Sequence, residues 1–151
     1  MKKKKTKISS AEMAEKSRCF TGLCRENGLK VTPQRIAIYQ ELLKTNEHPS
    51  AETLYEKVRE VFPSISLDTV HRTLLTLSEI GAATIVEGTG DAKRFDGDLA
   101  KHQHFRCVKC KRIVDFHYEP LDNLKIPAEI EGRFTVLRTT IYVEGLCDSC
   151  R

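Results

Sequence analysis

The sequence predicts an α+β protein in two parts, a helical first part closed by a β-hairpin and a smaller, strand-rich second part stapled by four cysteines. Three observations carry this. Apolar residues recur at helical spacing from Ser10 to Gly81, the period then shortens to that of strands, and two Cys-x-x-Cys pairs stand in the last third.

Each element has its own signal. An opening helix is expected from about Ser10 to Asn27, stopped by Gly28. A second starts at Thr32-Pro33, with the threonine as cap and the proline in the first turn, and carries Ile36, Tyr39 and Leu43. A third begins near Ser50, sets Leu54, Val58, Val61 and Phe62 on one face, and is cut by Pro63. A fourth follows Ser66, with Leu67, Val70, Leu74 and Leu77 in register, and ends at Gly81. Ala82–Val86 and Lys93–Phe95 read as two short strands joined by a turn at Gly88-Thr89-Gly90-Asp91. Three helices, a last helix and a hairpin in this order form the pattern of a winged helix-turn-helix, which a generic bundle with a hairpin would also show. Beyond Gly97, strands are expected at His104–Cys107, Arg112–Phe116 and Arg133–Val143, with a helical segment near Pro120–Ile130.

The domain organisation expected is a disordered basic tail (1–10), a winged-helix domain (11–96), a hinge (97–101) and a small α/β domain stapled by its cysteines (102–151). The second domain has few apolar residues for a core and needs a staple or a partner.

Composition narrows the classes. The 151 residues are 40% hydrophobic and 30% charged, without an apolar run long enough for a membrane span. The lysine-rich start lacks the apolar segment of an export signal, so a cytoplasmic location is expected, where cysteines stay reduced unless they bind metal or do redox chemistry. The net charge of +4 owes much to five lysines in residues 2–7. Overall charge therefore says little about nucleic acid.

Cys107-x-x-Cys110 and Cys147-x-x-Cys150 are the strongest local signal. Two such pairs complete a closed tetrahedral thiolate shell for Zn2+, which leaves no open position for chemistry. A disulfide is disfavoured in the cytoplasm, and a redox pair would open a helix in a βαβ unit, which is not the pattern here. Cys19 and Cys24, five apart on a helix, diverge and are expected to be buried helix residues.

A second constellation is softer. His102-Gln103-His104 sets two imidazoles on one strand face, Asp96 precedes them, Asp115 lies on the next strand, and His48 stands before the third helix. Three imidazoles and two carboxylates suit Fe2+, Mn2+ or Zn2+. Spacing alone singles out only His102 and His104, and a bare His-x-His is more often a surface feature than a site.

The order of these motifs resembles that of the ferric uptake regulator (Fur) family. The residues that carry the resemblance are Gly28-Leu29-Lys30-Val31-Thr32-Pro33-Gln34-Arg35, His48-Pro49-Ser50-Ala51, Ser66-Leu67-Asp68-Thr69-Val70-His71-Arg72, Arg94-Phe95-Asp96, His102-x-His104-Phe105-x-Cys107-x-x-Cys110 and Cys147-x-x-Cys150. Within the family, His48, Asp96, His102, His104 and Asp115 look like the regulatory site of the peroxide-sensing PerR branch, since the iron-sensing branch usually has glutamate where the two aspartates stand.

The resemblance implies a non-enzymatic repressor, a homodimer on a palindromic double-stranded operator, with structural Zn2+ and regulatory Fe2+ or Mn2+. It implies DNA binding for the first domain (11–96) and zinc-supported dimerisation for the second (102–151). It implies that Lys30 and Arg35 reach the DNA backbone or minor groove and that Ser66, Thr69 and Arg72 face the major groove. It further implies that peroxide reacts at Fe2+ and oxidises His48 or His102, releasing DNA. An iron- or zinc-responsive uptake repressor would use the same ligands. His71 departs from the family, which usually has a DNA-contacting tyrosine there. It sits at the border of the helix's apolar arc, whereas Thr69, Arg72 and Thr76 face away from that arc.

Two rival readings come from other classes. A two-histidine, one-carboxylate oxygenase needs a jelly roll that the helical half does not offer. A zinc-stapled protein adaptor would bind no DNA.

Overall fold

The computed structural model describes residues 8–86 and 92–151. The first seven residues and the turn expected at Gly88-Thr89-Gly90-Asp91 lie outside them. The chain divides at Leu99/Ala100 into two compact units.

The first unit opens with α1 (Ser10–Glu26), started by a reciprocal capping box between Ser9 and Glu12. Gly28, at φ 67°, takes the left-handed turn that ends it. Thr32 caps α2 (Pro33–Leu43), Ser50 caps α3 (Ala51–Val58) and Ser66 caps α4 (Leu67–Glu79), each accepting from a backbone N–H one turn on. Strand β1 (Thr84–Val86) pairs antiparallel with β2 (Arg94–Asp96), with Thr84 opposite Asp96. Helices α2, α3 and α4 pack on one another and β1–β2 follows α4, the winged helix-turn-helix order.

The core lies among these helices. Ile38, Leu42, Leu54, Val58, Val70, Leu74, Leu77 and Phe95 are fully buried, and Phe20 of α1 stacks on Tyr39 with ring centroids 4.4 Å apart. Two expected core residues fall outside it. Val61 lies beyond the end of α3 and is exposed, and Leu67, at the first position of α4, is also exposed.

The second unit is a three-stranded sheet in the order β4-β3-β5, built from β3 (Gln103–Cys107), β4 (Ile113–Phe116) and β5 (Tyr142–Gly145). β3 is antiparallel to β4, with His104 opposite Asp115, and parallel to β5. Two short helices, α5 (Glu119–Asp122) and α6 (Ala128–Glu131), replace the single helical segment expected there, with Pro127 opening the second.

The long strand expected over Arg133–Val143 is reduced to β5. Among the described residues its only pairing partner is β3, whose register is used up by residues 142–145, and residues 131–140 are exposed throughout. The pattern Phe134, Val136, Leu137 also breaks strict alternation. Cys107, Ile113 and Cys147 are the buried hydrophobic residues of this unit, so its own core is small.

Among the described residues, no helix is long and apolar enough to cross a membrane.

Candidate metal centres and DNA-facing helix

The four cysteines converge. Cys107 ends β3, Cys110 lies in the turn before β4, and Cys147 and Cys150 follow β5, which the parallel pairing carries alongside β3. One sulfur from each lies within 4.8 Å of every other, and Cys110 Sγ is 3.7 Å from Cys147 Sγ. A tetrahedral Zn2+ with bonds near 2.3 Å has sulfur–sulfur edges of about 3.8 Å, so the thiol set fits zinc.

The backbone of the first pair is shaped as a knuckle. Lys111 takes φ 63° and its N–H donates to the Cys107 carbonyl at 2.9 Å. Backbone N–H groups of Cys110 and then Cys147 pull the Cys107 thiol down to about 6. The Cys150 thiol is pushed up to about 12, first by its hydrogen bond with Cys147 and then by burial. Four sulfurs this close cannot all carry charge without a cation between them.

The expectation that Cys19 and Cys24 are both buried needs correction. Cys24 is buried, but Cys19 is exposed, because a five-residue step turns it off the core-facing side of α1.

The softer constellation is divided between the units. In the first, His48 precedes α3 and Asp96 ends β2, both are buried, and His48 Nε2 stands 3.3 Å from Asp96 Oδ2. His48 is held in the left-handed region at φ 49°, which a β-carbon disfavours. Arg94 and the β2 backbone hold the loop in place. Arg94 Nε donates to the His48 carbonyl, Arg94 Nη2 to the Glu47 carbonyl at 2.8 Å, and the Phe95 N–H to the Pro49 carbonyl at 3.0 Å.

In the second unit, His102 Nε2 and His104 Nε2 are 3.0 Å apart. Asp115 Oδ1, from the neighbouring strand, lies 3.4 Å from His104 Nε2 and 3.7 Å from His102 Nε2. His102 Nδ1 faces the Ala100 carbonyl at 2.7 Å, so a tautomer protonated at Nδ1 would free Nε2 as a lone-pair donor. Each of these two sets thus offers nitrogen and oxygen donors and no sulfur, which suits Fe2+, Mn2+ or Zn2+.

Of the six residues expected to face DNA, four belong to α4 and its cap. Ser66 Oγ accepts the Thr69 N–H at 3.1 Å and lies 2.9 Å from Thr69 Oγ1. Arg72 is exposed, and His71 is half-buried beside the first turn of α3. The Glu52 carboxyl there is held below its usual range by its own N–H, then the Ser50 hydroxyl, then His71. Arg35 lies in the first turn of α2 and Lys30 in the loop before its Thr32 cap, and Arg35 Nη1 donates to the Lys30 carbonyl at 2.5 Å.

The ferric uptake regulator family model matches residues 26–144. The chain belongs to that family. Its second cysteine pair lies just beyond the matched stretch.

The Peroxide-responsive repressor PerR of Staphylococcus saprophyticus is 35% identical over 127 residues, covering 84% of this chain and 86% of that protein. PerR of Staphylococcus aureus strain Mu50 is 32% identical over the same share of the chain, covering 86% of its own. The Campylobacter jejuni peroxide stress regulator structure is similar with a TM-score of 0.66 and 28% identity, covering 86% of this chain and 98% of that one. The Helicobacter pylori Fur structure matches in fold, with a TM-score of 0.77 at 18% identity and 96% of both chains covered.

Sequence reasoning passed over two residues that shape these sites. Arg94 stood in the Arg-Phe-Asp motif without a role, although an arginine two residues before a candidate ligand was a visible signal. Gln103 lies buried between the two histidines, donating to Asp122 Oδ1 at 2.6 Å and accepting from the Tyr118 N–H at 2.9 Å.

Proposed function

We propose that the chain is a metal-dependent transcriptional repressor, a cytoplasmic homodimer that binds palindromic double-stranded DNA and senses hydrogen peroxide through histidine oxidation. The observation that carries it is the pair of nitrogen–oxygen donor sets, His48 with Asp96 and His102 with His104 and Asp115, in a chain 35% identical to a protein named as a peroxide-responsive repressor.

A single Fe2+ or Mn2+ ligated by both sets would tie the two units into one arrangement. In a dimer that arrangement would set the distance between two copies of α4, and successive major grooves on one DNA face are ~34 Å apart. An ion that binds this form better than others shifts the population toward it by its differential affinity. Zn2+ in the four-cysteine cluster is the structural ion, and the exposed Phe134, Val136, Leu137 and Val143 of the second unit supply apolar surface for the partner subunit. Ser66, Thr69, His71 and Arg72 would read or flank the major groove, with Lys30 and Arg35 on the backbone.

Bound Fe2+ supplies the reaction with peroxide. The net change is insertion of one peroxide oxygen into an imidazole carbon–hydrogen bond of His48 or His102, the other oxygen leaving as water. An oxidised ring would no longer ligate as before, and its hold on the ion would weaken.

The test compares Fe2+-loaded and Mn2+-loaded protein after near-stoichiometric peroxide. Fe2+-loaded protein should gain the mass of one oxygen in the peptide holding His48 or His102 and lose DNA affinity in parallel. Mn2+-loaded protein should show neither change. If the Fe2+ form keeps its DNA affinity and its histidines while cysteines oxidise, an iron- or zinc-responsive uptake repressor takes the place of the peroxide reading.

A further inference from the structure

We infer that Asp68 is a specificity-determining, positioning residue of α4: its carboxylate holds Arg72 by the Nε edge, so that the two Nη nitrogens are presented as a fork to a guanine. This rests on the reading of α4 as the DNA-facing helix.

Asp68 and Arg72 are one turn apart on α4. Asp68 Oδ2 lies 3.0 Å from Arg72 Nε, with the two side chains 70% and 78% exposed. Asp68 sits in the first turn, where free backbone N–H groups and the helix dipole favour a carboxylate. The turn around it is hydrogen-bonded at both ends, by the Ser66 cap and the Ser66–Thr69 hydroxyl pair at its start and by Thr76 Oγ1, which donates to the Arg72 carbonyl at 3.0 Å.

The guanidinium has five N–H donors in a fixed planar fork. A carboxylate on Nε engages one side of it and biases its plane. The Nη1–Nη2 end stays outward, and that end matches the O6 and N7 acceptors of guanine in the major groove. An exposed ion pair of this spacing adds little to helix stability, so stability is a weak reason for it.

Its cost on DNA is definite. A carboxylate on a groove-facing helix repels phosphates and lowers affinity for every duplex. Orientation of Arg72 is what offsets that cost, because an arginine free to swing would serve phosphates and bases alike. Asp68 therefore trades general affinity for discrimination.

The experiment uses the Mn2+-loaded full chain and a randomised double-stranded DNA library. Affinities are then measured on the enriched duplex, on its single-base-pair substitutions and on an unselected duplex, at fixed salt. Wild-type protein should prefer guanine at one position of each half-site by about 5- to 150-fold, the range for a bidentate arginine contact. Asp68→Ala should erase most of that preference while binding the unselected duplex more tightly. Asp68→Glu, which also reaches one turn on, should restore it. Arg72→Lys should lose the same preference, and Asp68→Ala combined with Arg72→Lys should lose no more than either alone.

An Asp68→Ala protein with undiminished guanine preference and an unchanged melting curve overturns the inference. So does Arg72→Lys that keeps the preference. A wild-type protein that enriches no duplex overturns the DNA-binding reading itself, and the inference with it.

Discussion

His48 Nε2 stands 3.3 Å from Asp96 Oδ2, and the backbone that presents His48 is in the left-handed region at φ 49°. Arg94 secures that loop through its bonds to the Glu47 and His48 carbonyls, which ties His48 to the strand that carries Asp96. A histidine at positive φ costs about 1–2 kcal/mol relative to an unstrained backbone. The fold bears this at a candidate ligand, which makes strain and function separable by substitution.

Asparagine tolerates the left-handed region better than most residues. Metal-free His48→Asn should therefore be more stable than metal-free His48→Ala, since both lose packing at this buried position but only alanine meets the full left-handed penalty. Both should weaken Mn2+ binding by more than about tenfold, because even loss of a ligand's supporting partner costs that much. Calorimetric melts and Mn2+ titrations separate the two effects. An Asn variant that binds Mn2+ like wild type would remove His48 from the ligand set.

The thiol cluster makes a different demand. The second unit's own core is small, and the binding energy of a structural zinc is folding energy. Cys107→Ser should release zinc, abolish dimerisation and disorder the second unit, while most helical signal from α1–α4 persists on its separate core. Cys19→Ser, at an exposed position, should leave zinc content untouched. Metal analysis, light scattering and circular dichroism report the three quantities. A zinc-free Cys107→Ser protein that is still a folded dimer would sink the staple.

The helical half was legible because its signals are local. Thr32, Ser50 and Ser66 cap the helices expected of them, and Gly28 and Gly81, both at positive φ, end theirs. The four-cysteine cluster was equally legible, since two Cys-x-x-Cys pairs carry their geometry in their spacing. The second half was harder. Residues 133–141 have strand composition, but a strand needs a partner, and among the described residues only β5 finds one there. Cys19 went astray through an unhelpful helical phase. Gln103 was invisible because its worth lies in Asp122 and Tyr118, both distant in sequence.

That glutamine supplies the last prediction. Gln103 is buried on β3 and links it to α5, donating to Asp122 at 2.6 Å and accepting from the Tyr118 N–H at 2.9 Å. Burial pushes the Asp122 carboxyl up, but bonds from His117 and Gln103 outweigh it and hold the group below its ordinary range. A carboxyl lowered on folding contributes stability that is present above its unfolded pKa and is lost as pH falls through its folded value. Gln103→Leu removes both bonds, and the orphaned Tyr118 amide alone should cost about 1 kcal/mol. The variant's deficit should be largest at neutral pH and should shrink below about pH 4, where Asp122 is protonated in the unfolded chain and its bonds count for less. Gln103→Glu is the sharper probe, because it keeps the shape and sets a second carboxylate against Asp122. It should be less stable than Gln103→Leu at neutral pH and should recover in mild acid, as one proton shared between the two carboxyls restores a donor. Thermal melts of the three proteins across that pH range decide it. Parallel curves for Gln103→Glu and wild type would mean that the Gln103–Asp122 bond does not hold α5 to the strand of His102 and His104.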